Sequence, residues 1–223
     1  VSRSLPSVIN VGTLAALLAG ADVTLMSSDY GGQLGGPKPV GFYGVSLNAD
    51  LSWASASTLT LVSGDTIALN ANLTAAAGSL LLLPGSRSTV SGTAGTTTLA
   101  ADKSITVNEL RLRLNPSGAD HPADSSDLGT INLAGTVNAA TVVLDRGTGG
   151  VQGDVLINNA NNTLGTFRGL GAAAAITGDL KIRDSAGGLT VRGDLSGVAG
   201  AVEIVTSGNL TLDAGAQVQN TGA

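Results

Sequence analysis

The sequence predicts an all-β chain wound into one single-stranded parallel β-helix, a solenoid whose coils stack along an axis. Three observations carry the prediction. Short segments in which apolar residues alternate with Thr, Ser, Asn or charge recur from end to end, separated by Gly, Asp or Asn breaks. Leu59-x-Leu61 returns at Leu80-x-Leu82, and Leu189-x-Val191 at Leu210-x-Leu212, each about 21 residues on, a solenoid period. The apolar share is 43% yet aromatics make up only 2%, so the core must be built from Val, Leu, Ile and Ala. Small aliphatics suit a long, narrow, layered interior. Leucine-rich repeats would need recurring helices, and helical repeats a 3.6-residue period; the sequence has neither. At ~20 residues per coil the chain is expected to give about ten or eleven coils, a rod on the order of 50 Å long.

Taken in order, "GTLAALLAG" (12–20) reads as one or two helical turns, with Leu14, Leu17 and Leu18 on one face and glycine at both ends. The strand-like segments follow: "ADVTLMS" (21–27), "ADLSWAS" (49–55), "STLTLVS" (57–63), "DTIALNANLTA" (65–75), "GSLLLLPG" (78–85) and "TTTLAAD" (96–102). Then come "KSITVNELRLRLN" (103–115), "GTINLAG" (129–135), "ATVVLDR" (140–146), "GDVLINN" (153–159), "GDLKIRD" (178–184), "GGLTVRG" (187–193), "AVEIVTS" (201–207) and "GNLTLDAG" (208–215). Glycine and asparagine serve the corners, where left-handed backbone is needed. Two stretches rich in Gly, Pro and Asp, 27–44 and 115–129, are expected to project as loops, the usual place for recognition on a solenoid. The whole of 1–223 is expected to form one continuous β-helix.

Net charge is −5, and the 11 Lys and Arg are scattered singly, which speaks against nucleic acid as a partner. With no cysteine there are no disulfides or thiolate metal sites, which suits a chain that crosses membranes unfolded. The most apolar stretch, Val11 to Met26, is broken by Asp22, so membrane insertion is not expected. The sequence opens on Val1 and closes in "QVQNTGA", mid-pattern, and an internal piece of a longer chain is expected.

"VINVGTLAALLAGADVTLMS" followed by "VSLNADLSWASASTLTLVSGDTIALNANLTAAAGSLLLLPG" resembles the exoproteins related to filamentous haemagglutinin, exported by two-partner secretion in Gram-negative bacteria. The likeness covers Val8 to Gly85 and loosens to general β-helix sequence from Thr96 onward. It implies a right-handed β-helical rod, secreted or held at the cell surface and working in adhesion, aggregation or biofilm, and it does not imply an enzyme. Implied partners are neighbouring coils of a longer parent or copies of the chain itself, a host receptor or glycan, and an outer-membrane transporter during export. The family's secretion module carries Asn-Pro-Asn-Gly; here the nearest string is Asn115-Pro116-Ser117-Gly118, so the chain is assigned to the shaft rather than to that module.

Candidate binding residues fall into two groups. Arg192-Gly193-Asp194 spells an attachment tripeptide read by animal cell-surface receptors. Gly-Asp, however, occurs four times, at 64–65, 153–154, 178–179 and 193–194, and reads as a turn leading into a strand. Turn chemistry is therefore the expected role of the tripeptide. Tyr30, Phe42, Tyr43 and Trp53 form an aromatic group in or beside the first loop, a patch for a glycan or partner or, more simply, rings that pack the loop onto the rod. His121, the single histidine, lies among Asp120, Asp124 and Asp127, and one imidazole with loop acids falls short of a metal site. No cofactor, metal or catalytic residue is assigned. The competing class is a β-helical polysaccharide lyase or hydrolase, which needs converging acids and aromatic platforms; the chain has two glutamates and five rings, and Asp145, Asp154, Asp179, Asp184 and Asp213 sit next to turns, where Asp is expected anyway.

Overall fold

Leu, Val and Ile alternating with Thr, Ser and Asn give a backbone that is extended and apolar on one side only, and such strands must share a core. A computed structural model describes residues 8–27, 44–63, 66–84, 95–113, 128–146, 150–151, 153–170 and 175–221. The chain begins with α1 (Val11–Leu18) and β1 (Val23–Met26), then β2 (Val45–Leu47), β3 (Leu51–Ser52), β4 (Thr58–Val62), β5 (Ile67–Leu69) and β6 (Leu73–Leu83). It continues with β7 (Gly95–Leu99), β8 (Ser104–Arg113), β9 (Leu128–Leu133), β10 (Thr136–Asp145), β11 (Val155–Ile157) and β12 (Thr163–Leu170). The last elements are β13 (Leu180–Asp184), β14 (Leu189–Val198), β15 (Val202–Thr206), β16 (Leu210–Leu212) and β17 (Gln217–Asn220).

Two sheets result. One runs β1-β4-β6-β8-β10-β12-β14-β16, with β3 also on β6 and β17 also on β14; the other runs β15-β13-β11-β9-β7-β5-β2. Every pairing between these strands is parallel, and none joins strands adjacent in sequence. Each coil therefore contributes a strand to both sheets and stacks on the coil before it, which is the parallel β-helix that the repeat pattern predicts.

The core consists of columns along the axis. Leu59, Leu80, Leu110, Val142, Phe167, Val191 and Leu212 lie in register, and all but Leu212 are buried. Burying each such side chain contributes roughly 1.5–3 kcal/mol. In the second sheet Ile67, Thr97, Ile131, Val155 and Leu180 form the matching column, a threonine standing where the rest are aliphatic. At the start of the rod, Asn10 caps α1 by accepting from the Gly12 amide at 2.8 Å, so the cap is asparagine rather than glycine. Leu14 and Leu18 are buried and the Ser55 hydroxyl donates to the Leu18 carbonyl, whereas Leu17, expected on the same face, is exposed.

The coil count differs from expectation. Leu59 to Leu80 is 21 residues, but Leu80 to Leu110 is 30 and Leu110 to Val142 is 32. The first sheet is eight strands deep along its main path, so the stack from β1 to β16 is about 34 Å long at ~4.8 Å per strand. The extra residues fall, in chain order, between a strand of the first sheet and the next strand of the second. Connections from the second sheet to the first are uniformly short (48–50, 70–72, 100–103, 134–135, 158–162, 185–188, 207–209), while those in the other direction range from 199–201 to 27–44. Of the two expected loops, 27–44 lies outside the described residues apart from Ser27 and Gly44. The second, 115–129, lies outside them except for Leu128 and Gly129, which already belong to β9.

Candidate functional site

The column Leu61, Leu82, Leu112 and Leu144 reaches two glycines, Gly169 and Gly193, in register with it. There the chain bends. Gly193 has φ +70°, a left-handed conformation, and a Cβ on it would lie 2.2 Å from the Gly169 carbonyl oxygen. A Cβ on Gly169 would meet the Asp194 carbonyl oxygen at 2.1 Å. Only glycine fits either place.

Arg192, Gly193 and Asp194 therefore lie at a bend inside β14 rather than at a loop tip. Arg192 stands on the outer face, its Nε 2.9 Å from an Asp213 carboxylate oxygen. The Asp194 carboxylate turns back to accept from the Ser196 amide at 2.7 Å. Beneath the bend lies Arg146, fully buried, which donates from Nη1 to the Ser196 carbonyl at 2.6 Å and from Nη2 to the Asp194 carbonyl at 2.7 Å. Its guanidinium is 3.7 Å from the Asp194 carboxylate. The hydrogen bonds from Ser196 hold the Asp194 carboxyl below the usual carboxylate range, and the Arg146 charge adds to that. Burial pushes the Arg146 value down, opposed by Asp194. The two charged groups of the tripeptide are thus held by different partners, Arg192 by Asp213 and Asp194 by Ser196 and Arg146.

The Gly-Asp reading needs a correction at this position. Gly153-Asp154 and Gly178-Asp179 do lead into β11 and β13 and stack on one another, the Asp154 carboxylate accepting from the Asp179 amide at 2.8 Å. Asp179 in turn accepts from the Ala201 amide at 2.8 Å. Gly193-Asp194 belongs to a different corner, within a strand, and Gly64-Asp65 lies outside the described residues. A second ladder occupies the opposite corner. Asp50 accepts from the Asn72 amide at 2.8 Å, and Asn72 accepts from the Ser104 amide at 3.0 Å. The Asn72 bonds lower the Asp50 value, and Lys181 followed by the Ala201 amide lowers that of Asp179.

Trp53 is buried in the core, its indole N–H donating to the Ser57 carbonyl at 3.0 Å, so it presents no ring to a ligand. Tyr30, Phe42 and Tyr43 lie outside the described residues, as do His121 and its neighbouring aspartates. Among the described residues no group of three His, Asp or Glu is placed to hold a metal ion. Arg146 and Ser196 carry no motif in the sequence, and Asp213, expected only as a turn residue, is the partner of Arg192. The signal for Arg146 was a charge directly after the apolar run of "ATVVLDR", at a strand end where a solvated residue is the simpler expectation. Comparison with protein-family models, with curated proteins and with solved structures finds no match to the chain.

Proposed function

We propose that the chain is a shaft segment of a large secreted or cell-surface bacterial exoprotein of the filamentous-haemagglutinin type. It holds binding elements away from the cell in adhesion, aggregation or biofilm formation. One observation carries the reading: the polar corner residues are committed to stacking. Asp50, Asn72, Asp154 and Asp179 each hold a backbone amide one coil further on. With parallel ladders running along the axis as well, adjoining coils resist bending and sliding. The cysteine-free sequence supports passage through an outer-membrane transporter before folding. The role is mechanical and non-catalytic.

The test places the chain between a surface anchor and an epitope tag on bacteria. Energy transfer between a membrane dye and the tag should report an outward shift of about 34 Å, the height of the stack at ~4.8 Å per strand. Beads coated with the chain should neither bind animal cells or bacteria nor release sugar from polysaccharides. Saturable attachment weakened by Asp194→Ala would make the chain a binding module. Sugar release would make it an enzyme.

A further inference from the structure

The outer face of the first sheet gathers arginines that stand far apart in sequence. Arg111, Val143, Arg168 and Arg192 lie in register on β8, β10, β12 and β14. Phe167 and Val191, the residues just before the last two, are buried in the core. By strand alternation Arg168 and Arg192 therefore both point outward, one strand spacing of ~4.8 Å apart. Arg168 is exposed, and the Arg192 side chain is 53% exposed. Thr166 and Thr190 are in register on the same face, two residues before the arginines, and both are half-buried.

Like charges directly opposite one another on a sheet destabilise it. Elsewhere on this face the positive charge is answered. Arg111 and Arg113 share the Asp145 carboxylate, at 2.9 and 3.5 Å. Asp213 takes Arg192 at Nε from the side of β14 away from β12. A guanidinium has more N–H donors than one carboxylate uses, so Arg192 keeps donors over. The Arg168 side chain has no ion pair or hydrogen bond among the described residues. An in-register arginine pair thus stands on the surface with one carboxylate between them and with donors unspent.

We infer that Arg168 and Arg192 form a binding site for a phosphate group, with the Thr166 and Thr190 hydroxyls beside it. A tetrahedral phosphate offers oxygens on several sides and can accept from two neighbouring guanidinium groups at once, while a planar carboxylate is matched to a single fork. Its negative charge also cancels the repulsion between the two arginines. The attraction is local, since the chain as a whole carries a net charge of −5 and repels anions at a distance. A single pair falls short of the run of phosphate contacts that a nucleic-acid backbone requires. Exposed charges in water bind weakly, so the affinity is in the millimolar range and does not hold a coated bead to a cell. The inference stands on the register of β12 and β14 and not on the shaft reading; bead attachment tests that reading and phosphate titration tests this site.

Nuclear magnetic resonance on the whole chain, titrated with inorganic phosphate against chloride at constant ionic strength, tests it. Expected is a saturable shift centred on the amides of Thr166, Arg168, Thr190 and Arg192. Arg168→Gln and Arg192→Gln should each weaken binding at least about tenfold. Arg183→Gln removes an exposed arginine from β13 in the other sheet and should leave binding unchanged. Circular dichroism confirms the fold of each variant. A second titration with glucose 6-phosphate separates the sources of the group: tighter binding than inorganic phosphate assigns the site to a phosphorylated sugar, and equal or weaker binding assigns it to free phosphate. The absence of a saturable shift with either probe overturns the inference. So does a loss of affinity in Arg183→Gln as large as that in Arg168→Gln, which would mean diffuse attraction to positive charge.

Discussion

Thr97 offers a test in which removing a hydrogen-bonding group should strengthen the fold. Its side chain is fully buried between Ile67 and Ile131, and its hydroxyl has no hydrogen-bond partner among the described residues. A hydroxyl taken from water and left unpaired costs about 1–3 kcal/mol by protein substitution data. Thr97→Val replaces that oxygen with a methyl of nearly the same shape, removes the penalty and adds apolar contact with both isoleucines. The expected gain is about 1–2 kcal/mol, or a Tm increase of roughly 2–8 °C for a chain of this size. Thr97→Ser is the counterpart: it keeps the hydroxyl, loses a methyl and should cost about 1 kcal/mol. Urea unfolding followed by circular dichroism, with the slope unchanged, measures both. If Thr97→Val lowers the midpoint, the hydroxyl is making a hydrogen bond that the column does not show, and the reasoning fails.

Gly193→Ala should destabilise by at least about 2 kcal/mol, since it adds left-handed strain to a backbone collision. Gly215→Ala is the control: its φ of +79° is similar but its surroundings are open, so the urea midpoint should fall less. Arg146→Met should cost about 3 kcal/mol by leaving the Asp194 and Ser196 carbonyls without their buried donor, and hydrogen exchange should quicken over 194–198. Asp50, Asp102, Asp179 and Asp194 are all held below the ordinary carboxylate value, chiefly by Asn72, Lys103, Lys181 and Ser196 respectively. Depressed folded-state values give stability that is complete above the unfolded value of about 3.9 and disappears as pH falls through the folded values. The urea midpoint should therefore hold steady above about pH 5 and drop below about pH 4, and Asp194→Asn should shrink that drop.

The columns were legible because alternation and period are both written in residue types: Leu59, Leu80, Leu189 and Leu210 lie where their spacing puts them. The coil count was not, since a period read from the short coils cannot anticipate connecting stretches as long as 84–94 and 114–127. β12 was hidden by its own glycines. Gly165 and Gly169 break the apolar alternation, and they are glycine because a Cβ would strike the Ala140 and Asp194 carbonyls. β2 follows directly on the stretch expected as a loop, and β17 carries a single apolar residue, Val218, among Gln and Asn. At the tripeptide, motif spelling identified the residues but not their partners. Asp213 and Arg146 reach them across neighbouring coils, and such contacts leave no trace in local sequence.

Solenoids are commonly treated as chains of nearest neighbours in which a coil feels only the coils on either side. Arg146 departs from that description. Its backbone amide bonds to Leu170 in the adjoining coil, while its guanidinium passes that coil and bonds to residues 48 and 50 positions further along. Three successive coils therefore share one buried cation, and the middle one cannot loosen without disturbing a bond between the outer two. Melting in this part of the rod should proceed as a block, with fraying from the final coil halting at Asp194 instead of advancing turn by turn.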